Sequence, residues 1–290
     1  MHSRILTTGK FLLPALALTV LALANAPTAL ANHTVYLEGN CAGSPTTSAL
    51  HTAGACGDYD NDGVTGTTED GDGDNVFGTL NGALAAVAGN GRIVIVTSGV
   101  FTQTVNGATN AAINVSLGTG NVQIEAANGV DATIDAVVPG DTTNNTFRQQ
   151  AIGLLITGAS GSSVTLRNLT VRNWMIGMRL GGAVRVKVEG CHFDNNRDYG
   201  IQLGGTSRIT VNDSEIAHTG HRQGGDPNPN PGTGIQFLDQ SGGYLYDTVI
   251  ADSTGFGIHN VTAAPVTICH VVLHDNVAGN TGGSVNQVNC

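Results

Sequence analysis

Five segments of this chain share one frame, in which apolar residues are separated by one spacer, then two, then one. They are Val164-Leu166-Leu169-Val171, Val186-Val188-Cys191-Phe193, Ile209-Val211-Ser214-Ile216, Tyr244-Tyr246-Val249-Ala251 and Val266-Ile268-Val271-Leu273. Their starts lie 22, 23, 35 and 22 residues apart, so the long interval is one ordinary unit carrying about a dozen extra residues. Self-similarity at a fixed period is the mark of a repeat architecture, in which each unit buries its apolar row only against its neighbours. Within the frame, burial with period two describes two short strands meeting at a two-residue corner. A third strand follows a glycine in most units: Gly177-Met178-Arg179-Leu180, Gly200-Ile201-Gln202-Leu203, Gly234-Ile235-Gln236-Phe237 and Gly257-Ile258-His259. Three strands per turn of about 22 residues predict an all-β chain wound into a single parallel β-helix. The 41 glycines and the 12% of charged residues would also suit a disordered chain, but the ordered recurrence of Val, Ile and Leu argues against that.

Asn173, Asn195, Asn196, Asp275 and Asn276 cluster after the second strand, where stacked side chains can satisfy backbone groups at a corner. Upstream, Thr79 is placed to cap a short helix with Leu80, Ala83, Leu84 and Val87 on one face and Gly89 behind it. Strand-like segments follow at Arg92–Val96, Ile113–Leu117, Val122–Ala126, Ala132–Ala136 and Ile152–Ile156. A helix over the first coil would shield a sheet edge that otherwise invites aggregation.

The segments Gly78-Thr79-Leu80-Asn81-Gly82-Ala83-Leu84, Arg92-Ile93-Val94-Ile95-Val96 and Ser98-Gly99-Val100-Phe101, with the coils that follow, resemble the pectin lyase-like superfamily. The resemblance covers about three quarters of the chain and rests on core and corner positions. It implies a right-handed coil, secretion and a carbohydrate context. A leucine-rich repeat horseshoe is the alternative, since Leu166-x-x-Leu169-x-Val171 partly fits it. That fold needs a helical or extended return where this chain has a further glycine-led strand.

Three regions are expected: a signal peptide over 1–31, a Cys- and Asp-rich segment over 32–78, and the β-helix over 79–290. His2, Arg4 and Lys10 precede the apolar run Phe11 to Ala24, and Ala29-Leu30-Ala31 offers a cleavage site after Ala31. Read instead as a membrane anchor, the run is short for a bilayer. Without Arg4 and Lys10, ten basic residues face 22 acidic ones, a formal charge of −12. No basic tract is present, which argues against nucleic acid as partner, and the acidic balance is poor for drawing in a polyanion. Five cysteines suit an oxidising compartment. Cys41 with Cys56 and Cys269 with Cys290 are the expected pairs, and Cys191 falls on an inward position. The oligomeric state is left open.

Asp58-Tyr59-Asp60-Asn61-Asp62-Gly63, with Glu69 at the twelfth position, matches a calcium loop in full. Alternate carboxylates of Asp58, Asp60 and Asp62, the Val64 carbonyl and a bidentate Glu69 would supply the oxygens that Ca2+ requires. The flanks do not read as helices, so the motif points to a helix-free structural calcium site. Asp70, Asp72 and Asp74 repeat the alternation. A solvated acidic linker is the alternative, and structural calcium is the favoured reading.

Two features point to chemistry. One is the insertion His218 to Gly232, whose His218, His221, Arg222 and Asp226 are candidate acid, base and sugar-holding groups on a loop borne by a rigid scaffold. The other is the set of outward rows. Arg179, Gln202, Gln236 and His259 are expected in one row, and Arg172, Asp194, Asp252 and His274 in another. Two turns would put Asp194 and Asp252 about 9 to 10 Å apart, a spacing suited to an inverting glycosidase. Glycoside hydrolases of the resembled superfamily carry Asn-x-Asp, a paired aspartate and Gly-His-Gly; here only Gly220-His221 echoes the last, with Arg222 in place of glycine. Two functions therefore stay open. One is a secreted lyase or glycoside hydrolase acting on polysaccharide. The other is a non-catalytic cell-surface or matrix rod that binds glycans or proteins.

Overall fold

The computed structural model describes residues 34–37, 76–77, 79–101, 110–136, 151–220, 231–288 and 290. Among the described residues the chain coils through three sheets, of ten, seven and seven strands, and every strand pair is parallel. Within each sheet, neighbours come from successive turns. The first sheet runs through Asn121–Ala126, Ser163–Arg167, Arg185–Glu189, Arg208–Asn212, Gly242–Tyr246 and Val266–Cys269. The second runs through Ala132–Asp135, Leu169–Arg172, His192–Asp194, Glu215–Ala217, Val249–Ala251 and Val272–His274. The third runs through Ile152–Gly158, Ile176–Gly182, Tyr199–Leu203, Thr233–Phe237 and Phe256–Asn260. A third sheet on every turn excludes the horseshoe.

Register turns the sequence frame into columns. In the first sheet Val35, Ile93, Ile124, Leu166, Val188, Val211, Leu245 and Ile268 stack one above another. All eight are buried, and they belong to one continuous apolar cluster. Ile134, Val171, Phe193, Ile216, Ile250 and Leu273 form the second column. Ile113, Leu154, Met178, Ile201, Ile235 and Ile258 form the third. Turns about 4.8 Å apart leave no space between such side chains, so each turn supplies half of its neighbour's interior.

The helix, α1 (Leu80–Val87), starts where the sequence places it. Thr79 accepts a hydrogen bond from the Gly82 amide at 3.1 Å, and Leu80, Ala83 and Val87 are buried in the shared core. The corner asparagines also behave as expected. Buried Asn196 accepts from the Trp174 amide and donates to the Val171 carbonyl, and Asn276 does the same between Ser253 and Ile250. Asn195 donates to Asn173, which donates to Asp135. Cys191 is buried and unpaired, its thiol pushed up to about 11 by burial, and Cys269 is bonded to Cys290. Cys41 and Cys56 lie outside the described residues.

The fourth frame is the exception. Ile209 pairs with Gly243 and Val211 with Leu245, while Ile216 pairs with Ile250. The inward set is therefore Gly243, Leu245, Thr248 and Ile250, one residue away from the expected Tyr244-Tyr246-Val249-Ala251, and Tyr244 is 63% exposed. The unit starts become 164, 186, 209, 243 and 266, with the long interval at 34 residues. A slip of one residue exchanges the faces of a strand. The misleading signal has a physical origin: a Cβ on Gly243 would lie 2.4 Å from the Ile209 carbonyl oxygen, so glycine occupies an inward position. Thr248 occupies another, its hydroxyl donating to the Tyr246 carbonyl at 2.8 Å, as Ser214 donates to Asn212 one turn earlier.

The insertion leaves and rejoins the coil at one point. A Cβ on Gly232 would lie 2.2 Å from the Gly220 Cα, and the Thr219 carbonyl already accepts from the Thr254 amide of the next turn. The coil thus continues in register past the extra residues. Leu245→Ala should cost about 2–5 kcal/mol of stability as a core truncation, whereas Tyr244→Ala should change it by no more than about 0.5 kcal/mol. Urea denaturation followed by circular dichroism compares them, and equal losses would contradict the register.

Candidate functional site

The outer face of the second sheet gathers the described residues best suited to proton transfer. Phe193 and Ile216 point inward on His192–Asp194 and Glu215–Ala217, so His192, Asp194 and Glu215 point out. Register lines up Thr170, His192, Glu215 and Val249 in one row, and Arg172, Asp194, Ala217, Ala251 and His274 in the next. One residue beyond that second row the chain turns the corner. Asn195, His218 and Asp252 stand there with φ of 51°, 51° and 54°, in the left-handed region. That backbone ends each of these three strands at the corner.

The corner brings His218 between two carboxylates. Its Nδ1 lies 2.7 Å from Asp194 Oδ1, and its Nε2 lies 3.7 Å from Asp252 Oδ2. Beside them His192 Nδ1 is 3.2 Å from Glu215 Oε2. Arg172 Nε donates to buried Asp135 at 2.7 Å, which fixes the guanidinium on the rim. Thr170, Arg172, His192, Asp194, Glu215 and His218 line a cleft of about 250 Å³.

Three of the six expected catalytic residues, Asp194, His218 and Asp252, are therefore brought together. The arrangement differs from the expected open pair of aspartates: Ala251, not Asp252, faces Ala217, and the imidazole occupies the space between the carboxylates. The slipped fourth frame is the cause, because it moves Asp252 from the strand onto the corner. His221, Arg222 and Asp226 lie outside the described residues, as do the calcium-loop residues Asp58, Asp60, Asp62, Val64 and Glu69. Among the described residues, no group of three or more His, Cys, Asp or Glu side chains is arranged to hold a metal ion. The row Arg179, Gln202, Gln236 and His259 forms as expected, with Gln202 donating to Gln236 at 2.9 Å. His192, Glu215 and Asp135 were missed by motif reading. Their signal is strand alternation, since each neighbours an inward apolar residue.

A family model described as the right-handed β-helix region matches residues 128–289. The chain belongs to that right-handed β-helix family. The resemblance to the pectin lyase-like superfamily thus holds for the fold. Among solved structures, the crystal structure of pectate lyase Pel9A is similar, with 17% sequence identity and a TM-score of 0.41. The match covers 66% of this chain and 62% of the lyase chain, so it transfers no residue roles. No curated protein matches. Among the described residues of this β-helix, no helix is long and apolar enough to cross a membrane.

On this β-helix the His218 ring is about half exposed, and its pKa is raised. The hydrogen bond to Asp194 is the main cause; burial opposes it, and the charges of Asp194, Asp252 and Glu215 add to it. An Nδ1–H held by a carboxylate fixes the tautomer and leaves Nε2 to exchange a proton, the division of labour seen wherever a carboxylate orients a catalytic histidine. Because the folded pKa is raised, the ion pair stabilises the fold fully below the histidine's unfolded pKa, and that contribution is lost as pH rises through the folded value. In an NMR titration His218 should titrate above the ordinary histidine value of about 6.5. Asp194→Asn should lower that midpoint, and an unchanged midpoint would show that the 2.7 Å contact does not form in solution.

Proposed function

We propose that the protein acts on polysaccharide outside the cell, with the glycan lying along the outer face of the second sheet and His218 moving the proton. The observation that carries this reading is the placement of His218 between Asp194 and Asp252 at the edge of a cleft. Asp194 is its positioning residue. Imidazolium Nε2–H gives its proton to the glycosidic oxygen as the bond from the anomeric carbon to that oxygen breaks, the electron pair staying on the oxygen. Water adds at the anomeric carbon and releases its proton to solvent, from which Nε2 is reprotonated, while Asp252, 3.7 Å from Nε2, stabilises the imidazolium by its charge. Asp135, Asp194, Glu215 and Asp252 outweigh Arg172 around the cleft, which together with the chain's formal charge of −10 favours a neutral glycan. The leader pattern and the Cys269–Cys290 disulfide support an extracellular setting.

A second reading, a glycan-binding rod without turnover, is favoured by one observation: the side chains of Asp194, His218 and Asp252 are each about half exposed. Incubation with neutral and uronic-acid polysaccharides separates the two. Reducing ends report cleavage by either route, ultraviolet absorbance reports elimination, and reducing ends without that absorbance report hydrolysis. His218→Ala should lower kcat by at least about 100-fold, the usual scale of general acid–base catalysis. Activity should fall as pH rises through the elevated His218 pKa. Turnover unchanged in His218→Ala overturns the role of His218, and unsaturated products in place of reducing ends alone overturn hydrolysis.

The aspartate loop from Asp58 to Glu69 is proposed, on ligand spacing alone, to hold a structural Ca2+. Removing the ion with EGTA should then lower the melting temperature of the wild type, by linkage to the folded state. Asp60→Ala should melt at the lower temperature with or without the chelator. A wild-type melting temperature indifferent to EGTA contradicts the site.

A further inference from the structure

We infer that Tyr244 and Tyr246 form a second glycan subsite, on the first sheet and separate from the His218 cleft, that takes neutral pyranose units of a polysaccharide. The slipped frame turns both rings outward. Tyr244 is the one aromatic among the exposed large apolar side chains of the described residues. The outer row below Tyr246 changes character along the coil. It runs Glu125, Arg167, Glu189, Asn212, Tyr246 and Cys269, with Arg167 Nε donating to Glu189 at 2.5 Å and Arg167 also facing Glu125. Paired charges thus give way to aromatic surface over the last turns.

These last turns also supply walls. Thr267 pairs with Tyr244 and Cys269 with Tyr246, while Val288 is held by its amide donating to the Ile268 carbonyl at 3.0 Å. The Cys269–Cys290 disulfide ties down the far side. The resulting cavity of about 460 Å³ is of a size that holds a small ligand. Asp247 and His270 stand on its rim, His270 Nδ1 lying 3.3 Å from Asp247 Oδ1.

This chemistry selects the occupant. Tyrosine gives a rigid apolar face with a polar edge, which suits the C–H face of a pyranose ring. The Thr267 hydroxyl and the Asp247 carboxylate can engage sugar hydroxyls as donor or acceptor. Asp247 also repels a uronate, so a neutral sugar fits better than an acidic one. The inference rests on the polysaccharide reading but not on turnover.

Affinity electrophoresis through gels containing soluble neutral β-glucan, mannan, xylan or galactan, with polygalacturonate as the acidic comparator, tests it. Wild type should be retarded by at least one neutral glycan. Tyr244→Ala should weaken retardation by at least about tenfold, while Tyr244→Phe should keep it, because the ring face carries the contact. Circular dichroism spectra and melting curves should be unchanged in both. Turnover of short soluble oligosaccharides should survive Tyr244→Ala and fail in His218→Ala, which separates this subsite from the proposed catalytic group. Retardation equal in wild type and Tyr244→Ala, retardation by polygalacturonate alone, or no retardation by any neutral glycan would overturn the subsite.

Discussion

The parallel register between successive turns is the constraint on which the rest of this protein depends. Each strand is held by its neighbours above and below, and each inward side chain is covered by the equivalent one in the adjacent turn. No single turn has an interior of its own, so stability is a sum over neighbouring interfaces. The same register that stacks Val188 on Leu166 also decides what stands side by side outside. The outer face carries no independent design for placing His218 near Asp194. It inherits that placement from a core in which Phe193 lies under Ile216.

The corner positions convert the repeat into local chemistry. A left-handed residue follows five strands of the second sheet, at Asn173, Asn195, His218, Asp252 and Asp275, and asparagine or aspartate tolerates that conformation most readily among residues with a side chain. His218 takes the same backbone position, where asparagine stands one turn earlier and aspartate one turn later. Substituting an imidazole into this ladder creates the only part of it with a proton to give near neutral pH. The insertion, expected from His218 onward, leaves the coil only at Gly220, and its ends are pinched together at Gly220 and Gly232 so that the coil is not disturbed. A regular scaffold thereby carries one irregular, titratable corner.

Much of the fold was legible in the sequence, because it depends on spacing. Aliphatic residues at fixed intervals announced the columns, Thr79 announced the helix start, and the post-strand asparagines announced the corner bonds. Legibility failed at Gly243 and Thr248, inward positions filled by residues that do not read as apolar. Outward Tyr244, Tyr246 and Val249 completed a false frame beside them. That single slip also misplaced Asp252, so an error in the core became an error in the site. His192 and Glu215 were hidden for another reason: their partners lie 23 residues apart in sequence, and only register makes the pairs adjacent. His221, Arg222, Asp226 and the calcium loop lie outside the described residues, and their roles rest on residue type and spacing.

One register runs unbroken through the coil and across the point where the insertion leaves and rejoins it. Spin labels at outward positions of a single column measure it directly, pairing Gln123 in turn with Thr210, Tyr244 and Thr267. Three, four and five steps of about 4.8 Å predict backbone separations of about 14, 19 and 24 Å. The step from Thr210 to Tyr244 should equal the others although 34 residues separate the two positions. A jump at that step, or distances that do not grow in proportion to the number of turns, would contradict the account.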